Sequence, residues 1–383
     1  MKTQHLFPDN FLWGSATASY QVEGGMDNCD WALEARRTNK VPSCGPACEH
    51  YSRYKQDFDI AESMHHNAHR LSVEWARIEP EEGKFDEKAI EHYREVFADL
   101  RARNMHVSLT IWHFTLPIWF YEKGGFEKEA NIFYFVRYAQ KVIDSFANDV
   151  DDFTTINEPM VYTSNGYLRG PWPPFKKTLL LHIKVLRNIA EAHNMVYDWK
   201  QNTHPEVVLG VVKDNIYFEG KNIVTKQIAR FTAWFWNDRF LNMVKGKTDF
   251  IGLNYYFHKV IGQKSKGPFN DMGWEIYPEG IYHMLVDLKK YNVPLYVTEN
   301  GIPDREDKKR SEFIGAHVEW VYKAIKDGVD VRGYYYWSLL DNYEWAHGFT
   351  QRFGLIEINY DTMERTIRPS SHVFRYICER NGF

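Results

Sequence analysis

The octapeptide DFTTINEP, residues Asp152–Pro159, is the most informative stretch of the chain. Its first half is β-branched and aromatic and contains no turn former, so it predicts a buried strand. Pro159 ends that strand because proline has no N–H to donate. The strand therefore delivers an amide, Asn157, and a carboxylic acid, Glu158, side by side. A carboxylate there is costly to desolvate, so Glu158 either binds a neighbouring arginine or takes part in catalysis.

A second stretch, LYVTENG at Leu295–Gly301, repeats the design. A short β run is followed by a threonine, a glutamate and an Asn-Gly pair that turns the chain. Two glutamates at two strand ends, Glu158 and Glu299, predict a pair of facing carboxyl groups. Such a pair is what cleavage of a glycosidic bond requires.

Eight short β-rich runs alternate with amphipathic segments along the chain. The strands are predicted at Phe11–Ser19, Ala68–Glu74, His106–Trp112, Asp152–Asn157, Val207–Lys213, Asp249–Tyr255, Pro294–Thr298 and Val331–Ser338. The helices are predicted at Tyr51–His65, Asp86–Arg103, Lys128–Phe146, Lys177–Lys200, Glu279–Tyr291 and Arg310–Lys326. This alternation predicts an α/β fold, and eight repeats predict a closed (β/α)8 TIM barrel. No linker or low-complexity segment interrupts the pattern, so we expect residues 1–383 to form a single catalytic domain.

Barrel enzymes carry their chemistry at the C-terminal ends of the strands, so polar or aromatic residues should follow the runs. They do. The fifth run is the weakest, because only Lys213 and Asn215 follow it.

Composition excludes several classes of partner. The net charge of −4 shows no bias toward nucleic acid or acidic membranes. No apolar run approaches the roughly 18 residues of a membrane span, and residues 1–8 lack the apolar stretch of a signal peptide. We therefore expect a cytoplasmic enzyme with no nucleic-acid or membrane partner, whereas the oligomeric state stays open. Aromatic residues make up 16% of the chain and either stack on sugars or fill the core.

The four cysteines are Cys29, Cys44, Cys48 and Cys378. The spacing of Cys44, Cys48 and His50 resembles half of a zinc site, but no second pair of ligands lies at a suitable distance. Free thiols in a reducing compartment are the favoured interpretation, and we expect neither a metal nor another cofactor.

The motifs TINEP and VTENG resemble the acid/base and nucleophile motifs of the family 1 glycoside hydrolases, the β-glucosidase family. The resemblance extends from Phe11 to about Leu355. It implies a retaining β-glycosidase that acts on terminal β-glycosides by double displacement, through a covalent glycosyl-enzyme. β-Glucosides are the expected substrates, with β-galactosides and β-fucosides as further ones. A transglycosylase of the same fold, or a barrel that binds sugars without cleaving them, are the alternatives.

The resemblance also assigns catalytic roles. It implies that Glu158 is the acid/base and Glu299 the nucleophile. Arg70 matches the arginine beside the nucleophile, although an ion pair with Glu74 is an alternative for it. Tyr256 matches the tyrosine that donates a hydrogen bond to the nucleophile.

The same resemblance implies a set of substrate contacts. Asn157 would bind the sugar 2-hydroxyl, a contact that strengthens in the transition state. The other candidates for substrate binding are Gln21 and His113 at the 3- and 4-hydroxyls, Asn254, Trp337 as a platform under the sugar, Glu344 and Trp345 at O3, O4 and O6, and Phe353 near O6. A carboxylate at Glu344 would repel a phosphate dianion, so an unphosphorylated glycoside is expected.

One departure from the family concerns the span from Lys213 to Asp249, which is shorter than usual. It leaves the first sugar site intact and leaves two interpretations open. Either the wall on the leaving-group side is lowered and the cleft is more open, or the lost segment was remote or is replaced by the Gly267–Trp274 loop.

Overall fold

The computed structural model describes residues 5–383. Eight parallel strands form a closed barrel in chain order, and a two-stranded antiparallel sheet follows it. The strands are β1 (Leu12–Ala16), β2 (Ala68–Ser72), β3 (His106–Trp112), β4 (Asp152–Asn157), β5 (Leu209–Gly220), β6 (Ile251–Ile261), β7 (Leu295–Asn300), β8 (Val331–Trp337), β9 (Ile356–Asn359) and β10 (Glu364–Ile367). Gly14 of β1 pairs with both Ala68 and Tyr335, which closes the barrel. The predicted (β/α)8 fold is confirmed.

Helices surround the barrel. They are α1 (Ser19–Val22), α2 (Asp30–Thr38), α3 (His50–Ser63), α4 (Trp75–Ile78), α5 (Glu87–Ala102), α6 (Ile118–Glu122), α7 (Ile132–Phe146), α8 (Pro159–Thr163), α9 (Leu179–Thr203), α10 (Ile223–Ala233), α11 (Arg239–Met243), α12 (Glu279–Leu288), α13 (Arg310–Lys326) and α14 (Ser371–Arg380). Single turns of 3-10 helix occur at Gly125–Glu127, Glu129–Asn131, Lys289–Tyr291 and Trp345–His347, and π-helical turns at Ser164–Arg169 and Trp234–Asp238.

The helix ends follow the local chemistry. Asp86 caps α5, because its carboxylate accepts the N–H groups of Lys88 and Ala89 at 2.8 and 3.3 Å. Pro159 occupies the first turn of α8, where a missing N–H costs nothing. The core lies between the strands and the helices. Tyr138 of α7 is an example, because its hydroxyl donates to the Ile111 carbonyl of β3 at 2.9 Å and its ring stacks on Trp75 of α4 with centres 4.7 Å apart.

Two strands differ from the prediction. β5 continues seven residues beyond Lys213 to Gly220, and β6 continues beyond Tyr255 to Ile261. The two extensions pair with each other up to Gly220 and Ile261. This pairing provides hydrogen-bond partners for the backbone N–H and C=O groups of the residues after Lys213, where the sequence predicts the end of the strand.

Gly301, the last residue of the second motif, is required by close packing. A Cβ there would lie 1.7 Å from the carbonyl oxygen of Trp337. The absence of a side chain lets the end of β7 lie directly against the end of β8. Glu299 and Trp337 thereby open onto the same cavity.

Candidate active site

A cavity of about 540 Å³ opens at the C-terminal ends of the barrel strands. Nine of the predicted site residues line it, namely Gln21, His113, Glu158, Tyr256, Glu299, Trp337, Glu344, Trp345 and Phe353. The other three, Arg70, Asn157 and Asn254, are buried in the barrel and contact lining residues. The structure therefore gathers all twelve around one site.

Glu299 is held by two donors. Arg70 Nη1 donates to Oε1 at 2.5 Å, and the Tyr256 hydroxyl donates to Oε2 at 2.9 Å. Both contacts were expected from the sequence and are confirmed. The guanidinium is 1% exposed, so little water screens this ion pair. Glu74, the alternative partner of Arg70, instead accepts from the Ser19 and Thr115 hydroxyls.

Glu158 lies in a different environment. Its carboxyl accepts one hydrogen bond, from Asn254 Nδ2 at 2.7 Å, and forms no ion pair within residues 5–383. Burial raises its pKa well above the ordinary value, and the negative charges of Glu299 and then Asp214 raise it further. Glu158 is therefore protonated. Glu299, in contrast, lies beside Arg70 and has partners suited to the charged form.

A chain of buried amides connects the two glutamates. Asn157 Oδ1 accepts from Arg70 Nη2 at 2.7 Å and from Asn254 Nδ2 at 3.4 Å. Thr298 donates to Asn254 Oδ1 at 2.7 Å. Both amide atoms of Asn254 are thus engaged by protein, and the residue is fully buried. Its position suits orientation of Glu158, and its predicted contact with the substrate stays a prediction.

Gln21 and His113 present polar atoms to the cavity. Gln21 Nε2 donates to the Tyr343 carbonyl at 2.8 Å and to Asn342 Oδ1 at 3.1 Å. Its Oε1 is buried and has no partner within residues 5–383, so it is free to accept from a hydroxyl. Burial and the charge of Arg70 hold the pKa of His113 well below its usual range, so this ring is neutral.

Aromatic rings and a third glutamate complete this side. The His113 ring is nearly parallel to Trp337 and Trp345, with interplanar angles of 12° and 9°. Burial raises the pKa of Glu344 to about 8, with a further contribution from the charge of Glu299. A carboxyl that holds its proton can both donate and accept hydrogen bonds, and once ionised it would repel a nearby anion.

Asp214 is a cavity residue that sequence reasoning missed. It is 1% exposed and lines the cavity, yet neither carboxylate oxygen has a partner in the described part of the chain. Lys213 donates to its backbone carbonyl rather than to its carboxylate. Burial raises the pKa of Asp214 to about 6, despite the charge of Lys213. The signal in the sequence is the polar run Lys213–Asn215, which follows the predicted end of the fifth strand.

The loop after β6 supplies part of the cavity wall. Phe269, Met272 and Trp274 line the cavity, and Trp274 packs on Phe257 with ring centres 4.5 Å apart. Of the interpretations of the shortened Lys213–Asp249 span, this arrangement favours the one in which the Gly267–Trp274 loop contributes the wall.

Cys44, Cys48 and His50 each have a different partner. Cys44 donates to the Tyr20 carbonyl, Cys48 donates to the Asp341 carbonyl, and His50 pairs with Asp57 at 2.7 Å. All four cysteines are buried and unpaired. Over residues 5–383, no group of three His, Cys, Asp or Glu side chains is placed to share a metal ion.

Comparison with known proteins agrees with this geometry. The sequence model described as Glycosyl hydrolase family 1 matches residues 3–228 and 219–383. The chain belongs to glycosyl hydrolase family 1. It is a glycoside hydrolase, and the retaining mechanism is general to the family. No helix between residues 5 and 383 is long and apolar enough to cross a membrane.

The relatives cover the full length of the chain. The 1,4-beta-D-glucan glucohydrolase of Thermotoga neapolitana is 32% identical over 438 aligned positions, which cover 98% of this chain and 99% of that protein. A beta-galactosidase of Saccharolobus solfataricus is 30% identical, with 97% and 95% covered. The solved beta-glycosidase from Pyrococcus horikoshii superposes with a TM-score of 0.94 at 36% identity, covering 100% of this chain and 96% of that one. At 383 residues, this family member is shorter than its homologues.

Proposed function

We propose that the enzyme is a retaining β-glycosidase that prefers terminal β-glucosides and also accepts β-galactosides and β-fucosides. The observation that supports this most is the contrast between two buried glutamates on one cavity. Glu299 receives hydrogen bonds from Arg70 and Tyr256, which favour its charged form. Glu158 has a raised pKa and holds a proton. One carboxylate and one carboxylic acid are the two groups that the retaining reaction needs.

The residues then act in two steps. Glu299 attacks the anomeric carbon while Glu158 donates its proton to the departing oxygen, which gives a glycosyl ester on Glu299. Glu158, now a carboxylate, takes a proton from water as that water attacks the anomeric carbon and releases Glu299. Arg70 and Tyr256 stabilise the carboxylate that leaves in the second step. Asn254 positions the Glu158 carboxyl in both steps.

The remaining lining residues bind the glycone. The free Oε1 of Gln21 and the neutral ring of His113 suit the 3- and 4-hydroxyls. Asn157 is assigned to the 2-hydroxyl by the family resemblance, and its amide also forms hydrogen bonds with Arg70, Asn254 and His113. Trp337 offers a flat face to the C–H side of a sugar, with Trp345 and Phe353 beside it. Glu344 suits hydroxyls at O4 and O6, and its ionised form would repel a 6-phosphate.

A panel of chromogenic aryl β-glycosides tests the proposal, with Glu299→Gln as the inactive control. We expect the highest kcat/KM on the glucoside, lower values on the galactoside and fucoside, and no turnover of a 6-phosphoglucoside. Failure to hydrolyse any of them would support the non-catalytic sugar-binding alternative. Product analysis with excess acceptor sugar tests the transglycosylase alternative, which predicts that glycosyl transfer exceeds release of free sugar.

We also propose a cytoplasmic location. The support is that the four cysteines are buried and unpaired, as in proteins of reducing compartments. Cell fractionation with activity measured in each fraction tests it.

A further inference from the structure

Helix α10 carries its apolar residues on the outside. Its only buried residue is Ala229. The exposed residues of α10 and the turn after it include Ile223 at 81%, Val224 at 68%, Ile228 at 47%, Phe231 at 64% and Trp234 at 47%. A surface helix ordinarily buries its apolar stripe, so this orientation is reversed.

The reason for the reversal lies in the strand beneath the helix. The start of α10 lies so close to the end of β5 that a Cβ on Gly220 would meet the backbone N of Lys226 at 2.3 Å. Only small side chains fit on the inner face, where Ala229 lies. The helix is fixed at its start by Asn222 and Thr225, each of which accepts the backbone N–H of the other at 2.9–3.0 Å. The helix is thus held against β5 by its cap and by close backbone packing, without burying its apolar residues.

The apolar surface continues onto a second helix. Phe235, directly after Trp234, lies 6.0 Å from the His182 ring in the first turn of α9. That turn begins with two further exposed apolar residues, Leu179 at 51% and Leu180 at 77%. We call these seven residues the docking face: Leu179, Leu180, Ile223, Val224, Ile228, Phe231 and Trp234. Exposed apolar residues grouped on neighbouring helices are typical of an interaction site.

The segments that carry the docking face are rich in cations, three of which (Arg187, Lys221 and Lys247) pair with acidic residues elsewhere. Residues 176–187 and 221–247 contain ten lysines and arginines but a single acidic residue, Asp238, in a chain whose net charge is −4. By the 3.6-residue helical period, Lys226 and Arg230 fall along one edge of the apolar stripe of α10. Lys176 and Lys177 directly precede the exposed leucines of α9.

We propose that the docking face binds the surface of an anionic lipid bilayer. An apolar stripe with aromatic residues and a cationic border matches an interfacial helix, whose apolar side chains enter the headgroup region while lysines and arginines meet the lipid charges. A second copy of this chain fits less well, because symmetric packing would bring the two cationic borders together. Neither the net charge of the whole chain nor the length of its apolar runs describes a local surface.

Flotation of the full-length enzyme with two kinds of vesicle tests the proposal. The enzyme should float with vesicles of phosphatidylcholine and phosphatidylglycerol in equal parts, stay unbound with pure phosphatidylcholine, and dissociate as salt is raised. Replacing Lys226 and Arg230 by glutamine should lower the partition coefficient roughly tenfold or more, since each cation near a charged membrane contributes substantially to binding. The double variant Val224→Ser and Phe231→Ser should lose binding on the anionic vesicles as well.

Matched controls separate the proposal from its competitors. Tyr376→Ala removes an exposed aromatic from α14, which packs on β1 and β8 across the barrel from β5, and should bind like the parent. All variants should keep the parent activity on a soluble aryl glycoside, which shows that they fold. The proposal is overturned if the parent does not bind anionic vesicles at low salt, or if the face variants bind equally well. It is also overturned if light scattering shows a dimer that only the serine variant dissociates, without any vesicle binding.

Discussion

The two sides of the cavity are built in different ways. Around Glu299, nearly every polar atom has a protein partner, from Arg70 and Tyr256 through Asn157 to Asn254. Another part of the lining, which we call the β5–β6 wall, consists of Asp214, Lys259, Phe269 and Met272. There the Asp214 carboxylate has no partner, and neither Lys259 nor Phe269 is buried.

This difference indicates how each side works. The hydrogen-bonded side is rigid before substrate arrives, as preorganised catalysis requires. The β5–β6 wall leaves its polar groups for the substrate or solvent to satisfy. We therefore expect substitutions on the two sides to differ in size and in kind.

The largest effect should come from Glu299→Gly, which removes the nucleophile. We expect kcat to fall by about 10⁴-fold or more on any β-glycoside, since the covalent step is lost. Added azide should restore turnover and yield the α-glycosyl azide, because it attacks from the vacated side. Glu306→Gln, a change at an exposed glutamate, is the control. A variant that keeps a hundredth of the parent rate without azide would remove Glu299 from this role.

Glu158→Gln should lower the rate by a factor that depends on how much the leaving group needs a proton. Loss of a general acid typically costs 10²–10⁴-fold, so poor leaving groups such as a second sugar should suffer most and activated aryl groups least. The parent rate should fall as pH rises through the raised pKa of Glu158, because the proton to be donated is lost. That basic limb should largely vanish in the variant on an activated substrate. Persistence of the limb there would assign it to another group.

Asp214→Asn should move the pH profile without abolishing activity. The negative charge of Asp214 raises the pKa of Glu158, so its removal lowers that pKa and shifts the basic limb of kcat/KM to lower pH. Because the pKa of Asp214 is about 6, the difference should appear above that pH and disappear below it, where the parent carboxyl is itself protonated. Asp361→Asn, in the exposed turn between β9 and β10, should leave the profile unchanged. An unshifted basic limb in Asp214→Asn would show that the charge of Asp214 does not affect the pKa of Glu158.

The smallest effect should come from Phe269→Ala, on the β5–β6 wall. The ring is 40% exposed, so its removal costs little apolar contact, and we expect a loss of a few-fold in kcat/KM on bulky leaving groups alone. Small aryl glycosides of matched reactivity should react at the parent rate. Tyr376→Ala serves as the control for loss of an exposed aromatic. An equal loss on small and bulky substrates would contradict a role confined to the leaving group.

The same contrast explains what the sequence could predict. β3 and β4 begin and end at the predicted residues, His106–Trp112 and Asp152–Asn157, because apolar runs and turn residues mark both ends. The catalytic motifs occur at strand ends, where the barrel fold brings distant residues together. The family resemblance could therefore place Arg70 beside Glu299, whereas its position on a strand alone favoured an ion pair with Glu74.

Other features depend on tertiary pairing. Lys213–Asn215 looked like a strand end, since three polar residues rarely lie within a buried strand. They are buried because β5 and β6 extend together beyond the barrel. The orientation of α10 is set by the close approach at Gly220, which periodicity does not reveal. These two regions hold the unpartnered carboxylate and the docking face.

The separation of the two carboxyl groups remains a prediction. A retaining enzyme requires about 5–5.5 Å between Glu158 and Glu299, whereas roughly 6.5–9.5 Å would admit a water and invert the product. A crystal structure of the free enzyme measures this distance.

Trapping of the glycosyl-enzyme tests the central claim most directly. A 2-deoxy-2-fluoro-β-glucosyl fluoride slows both steps through its 2-fluorine but keeps a good leaving group, so the covalent intermediate accumulates. Mass spectrometry of a proteolytic digest should show the sugar on the peptide that contains Glu299, with Glu158 unmodified. Sugar on Glu158, or turnover to the inverted product with no labelled peptide, would contradict the account.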